Sequence, residues 1–302
     1  MLLYSKKPTR IIKHKGAEIP SFLVEKEDNI DHDTVDSFGD EWTKFGHFSD
    51  EEISIAGDQY FDIVTNEMCH KDSLVLDLGC GTGRWSYYLS DKVKFIEAID
   101  PSTSVLSASE LTKNLGNVRI TQATVGSIPF EDDCFDFAMG IGVYHHIPDT
   151  HKAISDTIKK LKAGGHFLIY LYYDLDNRGK LYRVLFGAVN LFRVLVSSLP
   201  KTLKKFACEC IALFVYLPLV IFTRCLKWLK FSEAFLRKIP LSYYADKSWK
   251  IIRNDALDRF GTPLEQRFSK KELIQLLESC GLDNIVVSSD MPYWHAVGRK
   301  SD

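Results

Sequence analysis

Val75-Leu76-Asp77-Leu78-Gly79-Cys80-Gly81-Thr82-Gly83-Arg84 is the stretch that decides the fold of this chain. Its mostly apolar start predicts a buried strand, its three glycines at alternate positions predict a turn, and a helical pattern opens at Trp85. Glycine adopts positive φ readily and has no Cβ to keep a ligand away from the backbone. The following helix contributes unpaired N–H groups and a partial positive charge. The stretch therefore predicts a strand–turn–helix unit that binds a carboxylate or a nucleotide-like ligand.

The next acid in the pattern, Asp100, ends a second apolar run at 93–99. It lies roughly twenty residues past the glycines, where a carboxylate at the tip of a neighbouring strand can bind both hydroxyls of a ribose. A dinucleotide site requires Gly-x-Gly-x-x-Gly, and the third glycine of that pattern would fall at Arg84. Asp77 would also face the pyrophosphate of a dinucleotide. An acid there instead suits a ligand with an ammonium or sulfonium group.

Five motifs in this order and spacing resemble those of the class I S-adenosylmethionine-dependent methyltransferases. Their first motif, Asp-x-Gly-x-Gly-x-Gly, is matched at residues 77–83, and Asp100 matches their ribose-binding acid. The other matches are Ser127-Ile128-Pro129-Phe130 with Phe135-Asp136, Val143-Tyr144-His145-His146-Ile147, and Leu161-Lys162-Ala163-Gly164-Gly165. The resemblance covers about residues 72–174 and resumes at about 265–299.

The resemblance implies S-adenosylmethionine as the cofactor, S-adenosylhomocysteine as the product, and no metal. The residues that it assigns to cofactor binding are Asp77, Gly79, Cys80, Gly81, Gly83, Arg84, Asp100, Pro101, Val125, Gly126, Ser127, Ile141 and Gly142. One position departs from the family, whose members often carry an acid just before the adenine-contacting residue, where this chain has Thr124. Adenine is usually read by a backbone amide, here near Val125 and Gly126, so cofactor binding is still expected.

The pattern of elements predicts an α/β fold. We expect strands near 74–78, 94–99, 118–121, 135–140 and 166–172, and helices near 84–90, 102–114 and 150–161. Strands and helices that alternate in this way predict a doubly wound, mostly parallel sheet. A helix over 269–277 and a hairpin over 285–298 match the closing elements of the family, which implies a Rossmann-like, seven-stranded sheet with an antiparallel last strand.

We divide the chain into an N-terminal arm and cap (1–70), a cofactor-binding core (71–174), a helical insertion (175–262) and a closing segment (263–302). Residues 1–35 have no clear period and predict an irregular extension. The aromatic-rich residues 36–45 predict a turn leading into a helix at about 50–68. This cluster is expected either to cover the cofactor or to serve only as a hydrophobic anchor.

The insertion is apolar at helical spacing from Lys180 to Leu199, and an uncharged run over 211–222 is interrupted by Pro218. Between 178 and 230, Glu209 is the one acid among many basic residues. An apolar run of roughly a dozen residues is too short to span a bilayer, so a true span is the least favoured interpretation. Two others remain open. The insertion could lie on a membrane surface or contact a lipid substrate, or it could form a lid or a homodimer interface.

Composition limits the remaining classes of function. The 302 residues are 45% apolar, enough for a sizeable core, and the net charge of −2 gives no overall field that would favour nucleic acid. The 7 cysteines show no metal-ligand spacing, which suits reduced thiols. Residues 1–15 are basic and lack an apolar signal core. We therefore expect a cytoplasmic location, peripheral at the inner membrane face if the insertion binds lipid.

The acceptor side is less well defined by the sequence. Methyl transfer from a sulfonium needs alignment and exclusion of water, and a hydroxyl acceptor also needs a base. His145 and His146 follow the fourth core strand, so either could be that base, or one of them could only pack or bind the cofactor. Tyr173 and Arg178 follow the fifth strand and complete the predicted catalytic set, while the charges at 253–268 could line the acceptor pocket or form surface salt bridges.

We expect transfer to an oxygen of a small or lipid-linked acceptor. A sugar is included because residues 34–45, 172–178 and 243–268 together resemble methyltransferases of surface-glycan and lipid-linked sugar pathways. Two alternatives stay open, namely a non-catalytic module that binds the cofactor and acts through a partner, and a nicotinamide-dependent oxidoreductase.

Overall fold

The computed structural model describes residues 2–45, 48–177 and 179–301, without the side chains at 40, 41, 43–45 and 180–185. It divides into two compact units. Unit 1 comprises Met1–Asn177 with Leu264–Asp302, and unit 2 comprises Arg178–Pro263. The limits of unit 2 lie close to those predicted for the insertion.

Unit 1 is built on one sheet whose order is β1-β2-β5-β4-β3-β6-β7-β9-β8. Its strands are β1 (Arg10–His14), β2 (Ala17–Ser21), β3 (Leu74–Leu78), β4 (Phe95–Asp100), β5 (Val118–Gln122), β6 (Phe135–Ile141), β7 (Leu161–Tyr170), β8 (Leu282–Val287) and β9 (His295–Lys300). The strands from β5 to β7 pair in parallel, and β9 pairs antiparallel to β7. The predicted α/β class is therefore confirmed, and the described residues form nine strands where seven were expected.

The two additional strands correct the expectation of an irregular extension over 1–35. β1 and β2 form a hairpin whose two turn residues, Lys15 and Gly16, both have positive φ (47° and 86°). Two such residues make the turn that best matches the twist of paired strands. The hairpin joins the sheet where Ser21 pairs with Gln122 of β5. Its buried side chains are few, which is why periodicity alone did not reveal it.

The helices, in chain order, are α1 (His32–Phe45), α2 (Asp50–Tyr60), α3 (Arg84–Leu89), α4 (Val105–Thr112), α5 (Thr150–Ile158), α6 (Lys180–Ser197), α7 (Lys201–Ile211), α8 (Leu217–Trp228), α9 (Glu233–Leu236), α10 (Trp249–Gly261) and α11 (Lys270–Ser279). Those from α6 to α10 belong to unit 2. The helices predicted within 84–161 and at 269–277 are confirmed with shifts of a few residues at their ends.

Helix α1 corrects the expectation of a turn over 36–45. The Asp31 carboxylate accepts a hydrogen bond from the Thr34 amide at 2.8 Å, which satisfies one of the unpaired amides of the first helical turn. Val35, Phe38 and Trp42 then follow at helical spacing. Helix α2 ends at Tyr60 and is shorter than the predicted 50–68.

The core lies on both faces of the sheet. Val75 and Leu168 belong to one buried cluster, whereas their chain neighbours Leu76 and Phe167 belong to the other. Because successive side chains of a strand point to opposite faces, apolar layers cover both sides of β3 and β7. This leaves the ends of the strands as the places where polar groups can gather.

The longest helix among the described residues lies in unit 2. A π-helical segment, Ala212–Tyr216, joins α7 to α8, so that Lys201–Trp228 runs for 28 residues. Proline normally interrupts a helix because it lacks an N–H and clashes with the preceding turn, and the wider π turns just before Pro218 relieve both problems. This helix is long and apolar enough to cross a membrane by length and composition alone, although 33% of its apolar window is buried. The expectation that the apolar segment is too short to span a bilayer was therefore wrong, because the helix extends well beyond the apolar run at 211–222.

Candidate functional site

The carboxyl ends of four neighbouring parallel strands meet at one edge of the sheet of unit 1. Strands β4, β3, β6 and β7 lie side by side, and the turns that follow them hold most of the predicted cofactor-binding residues. Ligands of open α/β sheets bind at this edge. The topology therefore places the motifs that the sequence singled out next to one another.

The glycine turn after β3 requires its glycines for conformational reasons. Gly79, Gly81 and Gly83 have φ of 65°, 54° and 80°. A Cβ at Gly79 would lie 2.3 Å from Cγ2 of Val143, so this glycine also allows the loop after β6 to pack against the turn. The positive φ values turn the chain sharply from β3 into α3.

Asp77 is a buried acid with an incomplete set of partners. Its side chain is 1% exposed, and Oδ2 accepts a hydrogen bond from Ser86 Oγ at 2.7 Å. Oδ1 has no hydrogen-bond partner among the described residues. Burial raises the pKa of Asp77 to about 7, and the nearby Asp100 adds to this rise while the Ser86 hydrogen bond opposes it. A cationic ligand group would satisfy the unpaired oxygen and favour the ionised carboxyl group.

Asp100 links the ends of β4 and β3. Its Oδ2 accepts from the Gly81 amide at 3.0 Å, and its Oδ1 accepts from the amide and the hydroxyl of Ser102 at 2.8 and 2.7 Å. A carboxylate has about four acceptor sites, so one remains for a ligand hydroxyl. Together, the unpaired oxygen of Asp77 and the remaining site of Asp100 fit the ammonium and the ribose of S-adenosylmethionine.

Aromatic side chains from α1 and the chain that follows it cover the glycine turn. The Trp42 indole Nε1 lies 3.6 Å from the position that a Cβ on Gly81 would take. The Arg84 guanidinium lies 5.3 Å from the Trp42 ring, 5.2 Å from the Phe48 ring and 4.4 Å from the Trp85 ring, measured to the ring centroids. Trp42 is thus in position to cover a ligand in the turn, which is one of the two roles that the sequence left open, and Arg84 lies among the aromatic rings.

The predicted adenine-binding turn is a 3-10 turn, Val125–Ser127, after β5. Thr124 precedes it and donates a hydrogen bond through Oγ1 to Glu27 Oε2 at 2.8 Å. The backbone oxygen of Asp28 lies 3.7 Å from the Cβ position of Gly126. The N-terminal segment thus brings a carboxylate to the position where the sequence of this turn lacks one. Sequence reasoning missed Glu27, because nothing in the local pattern links it to a turn 97 residues away.

The other predicted cofactor residues contribute backbone to the same edge. Cys80 is 2% exposed, and its amide donates to the Ile99 carbonyl at 3.0 Å, so its role lies in the turn and not in its thiol. Ile141 ends β6, Gly142 follows with a φ of 82°, and Pro101 follows β4. These residues frame the edge, and no charged side chain comes from them.

The two predicted histidines occupy a 3-10 turn, Tyr144–His146, after β6. His145 is completely buried and stacks on Tyr172, with ring centroids 4.0 Å apart and planes at 25°. Both of its ring nitrogens lack hydrogen-bond partners among the described residues. Burial holds the pKa of His145 well below its usual value, and His146 adds to this, so the ring is neutral at physiological pH.

Residues 264–268, hereafter the strap, hold the histidine turn. Nδ1 of His146 lies 2.7 Å from the carbonyl oxygen of Leu264, to which it donates. The Gln266 amide donates to the His145 carbonyl at 2.9 Å. On its other side the strap meets the chain after β7, where the Phe268 amide donates to the Tyr172 carbonyl at 2.8 Å. The sequence had shown only a group of charges in this segment.

The chain after β7 places Tyr172 and Tyr173 on opposite sides. Tyr172 packs against both histidines, whereas Tyr173 packs on Trp294 and Tyr293 at centroid distances of 6.1 and 5.5 Å. The predicted acceptor-side residue Tyr173 therefore lies among apolar neighbours, and Tyr172 takes the place beside the histidines. Side chains of neighbouring residues in an extended chain point in opposite directions. The sequence alone does not give the register, so it could not show which of the two tyrosines faces the histidines. Arg178 lies outside the described residues.

The strap also carries a buried ion pair. Arg267 Nη2 lies 2.6 Å from Glu265 Oε1, with side-chain exposures of 15% and 1%. The guanidinium lies 5.4 Å from the Tyr172 ring centroid. The sequence had allowed these charges either to line an acceptor pocket or to form surface salt bridges. The structure shows a largely buried ion pair beside the histidine turn.

Comparison with known proteins agrees with this geometry. Residues 76–169 match a family model described as a methyltransferase domain. The uncharacterized methyltransferase YcgJ of Bacillus subtilis is 30% identical over 129 residues, which cover 42% of this chain and 51% of that protein. A demethylmenaquinone methyltransferase of Staphylococcus carnosus is 35% identical over 100 residues, 32% of this chain and 41% of the relative. The matches thus span about half the length of these relatives or less.

A chain of the solved complex between the Haloferax volcanii Trm112 methyltransferase activator and a protein assigned as a methyltransferase shares the fold. The superposition has a TM-score of 0.50 and 14% identity, over 88% of this chain and 99% of that chain. The class I methyltransferases, which the motifs of this chain resemble, use S-adenosylmethionine and yield S-adenosylhomocysteine. Residues 76–169 therefore match a methyltransferase domain, and the motifs and the fold of the chain are similar to those of the class I S-adenosylmethionine-dependent methyltransferases.

Proposed function

We propose that this protein transfers a methyl group from S-adenosylmethionine to an oxygen atom of a small or lipid-linked acceptor, including sugar hydroxyls. The observation that carries the proposal is the pair of acids at one sheet edge. Asp77 keeps one buried oxygen that has no hydrogen-bond partner within the described part of the chain, and Asp100 binds the glycine turn. An ammonium and a ribose are the complementary groups for these two carboxylates.

Different residues of the site would bind different parts of the cofactor. When bound, S-adenosylmethionine supplies an electrophilic methyl group. Asp77 would bind its ammonium, Asp100 its ribose, and the Val125–Ser127 turn its adenine, with Glu27 at the edge of that turn. Trp42 over the glycine turn would exclude water, which strengthens each of these charged contacts.

With an oxygen acceptor, a histidine of the histidine turn would act as the base. A hydroxyl group is too weakly acidic to react unaided at neutral pH, so its proton must pass to a base as the bond to carbon forms. His145 and His146 are the candidate bases. Support comes from their position at the ligand-binding edge and from the strap that orients the turn.

The decisive experiment combines a labelled cofactor with fractionated extracts. The purified protein is incubated with methyl-labelled S-adenosylmethionine and with the water-soluble and lipid fractions of a strain that lacks it. We expect label in one compound, bound through oxygen, and the strain should accumulate a compound lighter by one methylene. Label recovered on nitrogen, carbon or sulfur would contradict the oxygen assignment.

The two alternatives give different results. A non-catalytic module would bind S-adenosylhomocysteine but would release none from S-adenosylmethionine with any fraction. A nicotinamide-dependent oxidoreductase would bind NADH and not S-adenosylhomocysteine. Binding and turnover measured on one preparation therefore separate all three functions.

A further inference from the structure

Unit 2 exposes an unusual amount of apolar surface. Of the 22 large apolar side chains that are exposed among the described residues, 17 belong to this unit. They are Val189, Leu191, Phe192, Val194, Leu195, Leu203, Phe206, Leu213, Phe214, Val215, Ile221, Phe222, Trp228, Leu229, Phe231, Phe235 and Trp249. Exposed apolar groups at this density mark a surface that meets another apolar phase.

The long helix shows how this surface is organised. Its inner side packs into the core of unit 2 through Ile211, Tyr216 and Val220. Its outer side exposes Phe206, Phe214 and Phe222, at 68%, 70% and 52%. The middle of the helix is therefore mostly apolar but buried on one side only, which leaves an apolar outer stripe, hereafter the outer face.

The charge of unit 2 indicates what covers this face. Residues 178–263 contain 16 lysines and arginines and 5 acids, a net charge of +11. The rest of the chain contains 22 basic and 35 acidic residues, a net charge of −13. Three lysines lie near the start of the long helix and three basic residues near its end, at positions 201, 204, 205, 224, 227 and 230. An apolar strip between basic ends complements the acyl chains and phosphates of an anionic lipid layer.

The inner side of the long helix opposes a membrane-spanning arrangement. Tyr216, near the middle of the helix, donates a hydrogen bond to Asp255 Oδ2 of α10 at 2.8 Å. Arg253 of α10 donates to Glu209 at 2.8 Å. A spanning helix would either lose these partners or carry their charges into the hydrocarbon, and both are costly. A helix that lies in the plane of the interface keeps them.

We propose that the outer face of unit 2 docks on an anionic lipid bilayer, with its aromatic side chains at the boundary of headgroups and acyl chains and its basic residues on the lipid phosphates. This docking would bring the protein to the same surface as a lipid-linked acceptor. It does not depend on methyl transfer, because lipid binding can be measured without cofactor or acceptor.

The test is flotation of the full-length protein with vesicles at low and high salt. We expect binding to vesicles of phosphatidylcholine with phosphatidylglycerol, weaker binding to phosphatidylcholine alone, and release by salt. The triple variant Phe206→Ser, Phe214→Ser, Phe222→Ser should lose binding by at least about tenfold. The charge variant Lys204→Glu, Lys230→Glu, with one substitution near each end of the long helix, should show a loss of similar size.

A matched control uses exposed apolar residues of unit 1. Leu3, Ile55 and Val286 are 91%, 46% and 45% exposed, and their triple replacement by serine should leave vesicle binding unchanged. Unfolding curves verify that both triple variants are folded. Absence of binding to anionic vesicles at low salt would overturn the proposal. So would a dimer that the outer-face variant dissociates, which would assign this face to a second copy, or protein that resists alkaline extraction from membranes, which would indicate a span.

Discussion

Thr124 Oγ1 donates a hydrogen bond to Glu27 Oε2 at 2.8 Å, across 97 positions of the chain. The hydrogen bond joins the N-terminal segment to the turn after β5. In related methyltransferases an acid often precedes the residue that contacts adenine, and this chain has a threonine there. The structure thus brings a carboxylate to the same position from a distant segment.

We therefore predict that Glu27 contributes to the recognition of adenine. Glu27→Ala should weaken binding of S-adenosylhomocysteine by about 1 kcal/mol, or roughly fivefold, because a hydrogen bond to a charged group is lost. The neighbouring exposed residue supplies a control, Glu25→Ala, which should bind as the wild type does. Titration with S-inosylhomocysteine, which lacks the 6-amino group, should show no further loss on Glu27→Ala. An equal loss of affinity for both ligands on Glu27→Ala would show that Glu27 does not recognise the adenine amino group.

The pKa of Asp77 predicts a pH dependence of cofactor binding. In the free protein this pKa is raised to about 7, and an ammonium beside the carboxylate would lower it. Below pH 7, binding must therefore release a proton, and affinity for S-adenosylhomocysteine should fall by up to about tenfold per pH unit as the pH falls. Above pH 7 the carboxyl group is already ionised, and affinity should stay level.

Calorimetry in two buffers of different ionisation enthalpy measures this proton directly. Close to one proton should be released at about pH 6 and close to none at about pH 8. Asp77→Asn should bind more weakly at both values and without the difference between buffers. The same proton release from Asp77→Asn would show that another group titrates.

His145 allows stability and catalysis to be separated. Because neither buried ring nitrogen has a hydrogen-bond partner among the residues that the structure describes, His145→Phe should leave the free energy of unfolding unchanged or raise it by about 1 kcal/mol. Turnover should nevertheless fall by about 10² or more if the histidine turn supplies the base. Urea unfolding and product formation are measured on the same preparation.

The exposed His151 of α5 provides the control, since His151→Gln should change neither quantity. His146→Gln should also slow turnover while it leaves binding of S-adenosylhomocysteine within about twofold. Full activity in both His145→Phe and His146→Gln would show that positioning alone drives the reaction and that no histidine acts as a base.

Gly79 tests the conformation of the turn itself. Its φ of 65° and the 2.3 Å approach of Val143 to a Cβ predict that Gly79→Ala lowers the free energy of unfolding by at least about 2 kcal/mol. Adding Val143→Ala should recover part of that loss, because it removes the clash and leaves the backbone strain. Gly116→Ala serves as the control, since its Cβ meets nothing within 4 Å. Equal stabilities of Gly79→Ala and Gly116→Ala would contradict this account of the turn.

The sequence predicted the parts of the fold that depend on local patterns. The parallel strands β3 to β7, the glycine turn and Asp100 follow from apolar runs and from glycines at fixed spacing, and the sheet then brings them to one edge. The α1 helix was missed because its aromatic residues suggested a turn. Its capping residue, Asp31, is a signal that could have been used.

Contacts between distant segments were not accessible to the sequence. Glu27 meets Thr124 only through the packing of the N-terminal segment, and Tyr172 in place of Tyr173 faces the histidines because of the register after β7. In the long helix, Pro218 was interpreted as an interruption, whereas the π-helical turns before it let the helix continue. Each of these three features depends on tertiary structure, which a short stretch of sequence does not reveal.

The central claim is that the first strand–turn–helix unit binds S-adenosylmethionine. Its most direct test is calorimetric titration of the wild type and of Asp100→Asn with S-adenosylhomocysteine and with NADH. Asparagine keeps one oxygen to accept from the Gly81 amide, so the turn should persist while ribose binding weakens by about 1–3 kcal/mol. We predict saturable binding of S-adenosylhomocysteine to the wild type, a clear loss of that affinity in Asp100→Asn, and no binding of NADH. Saturable binding of NADH without binding of S-adenosylhomocysteine would contradict the account.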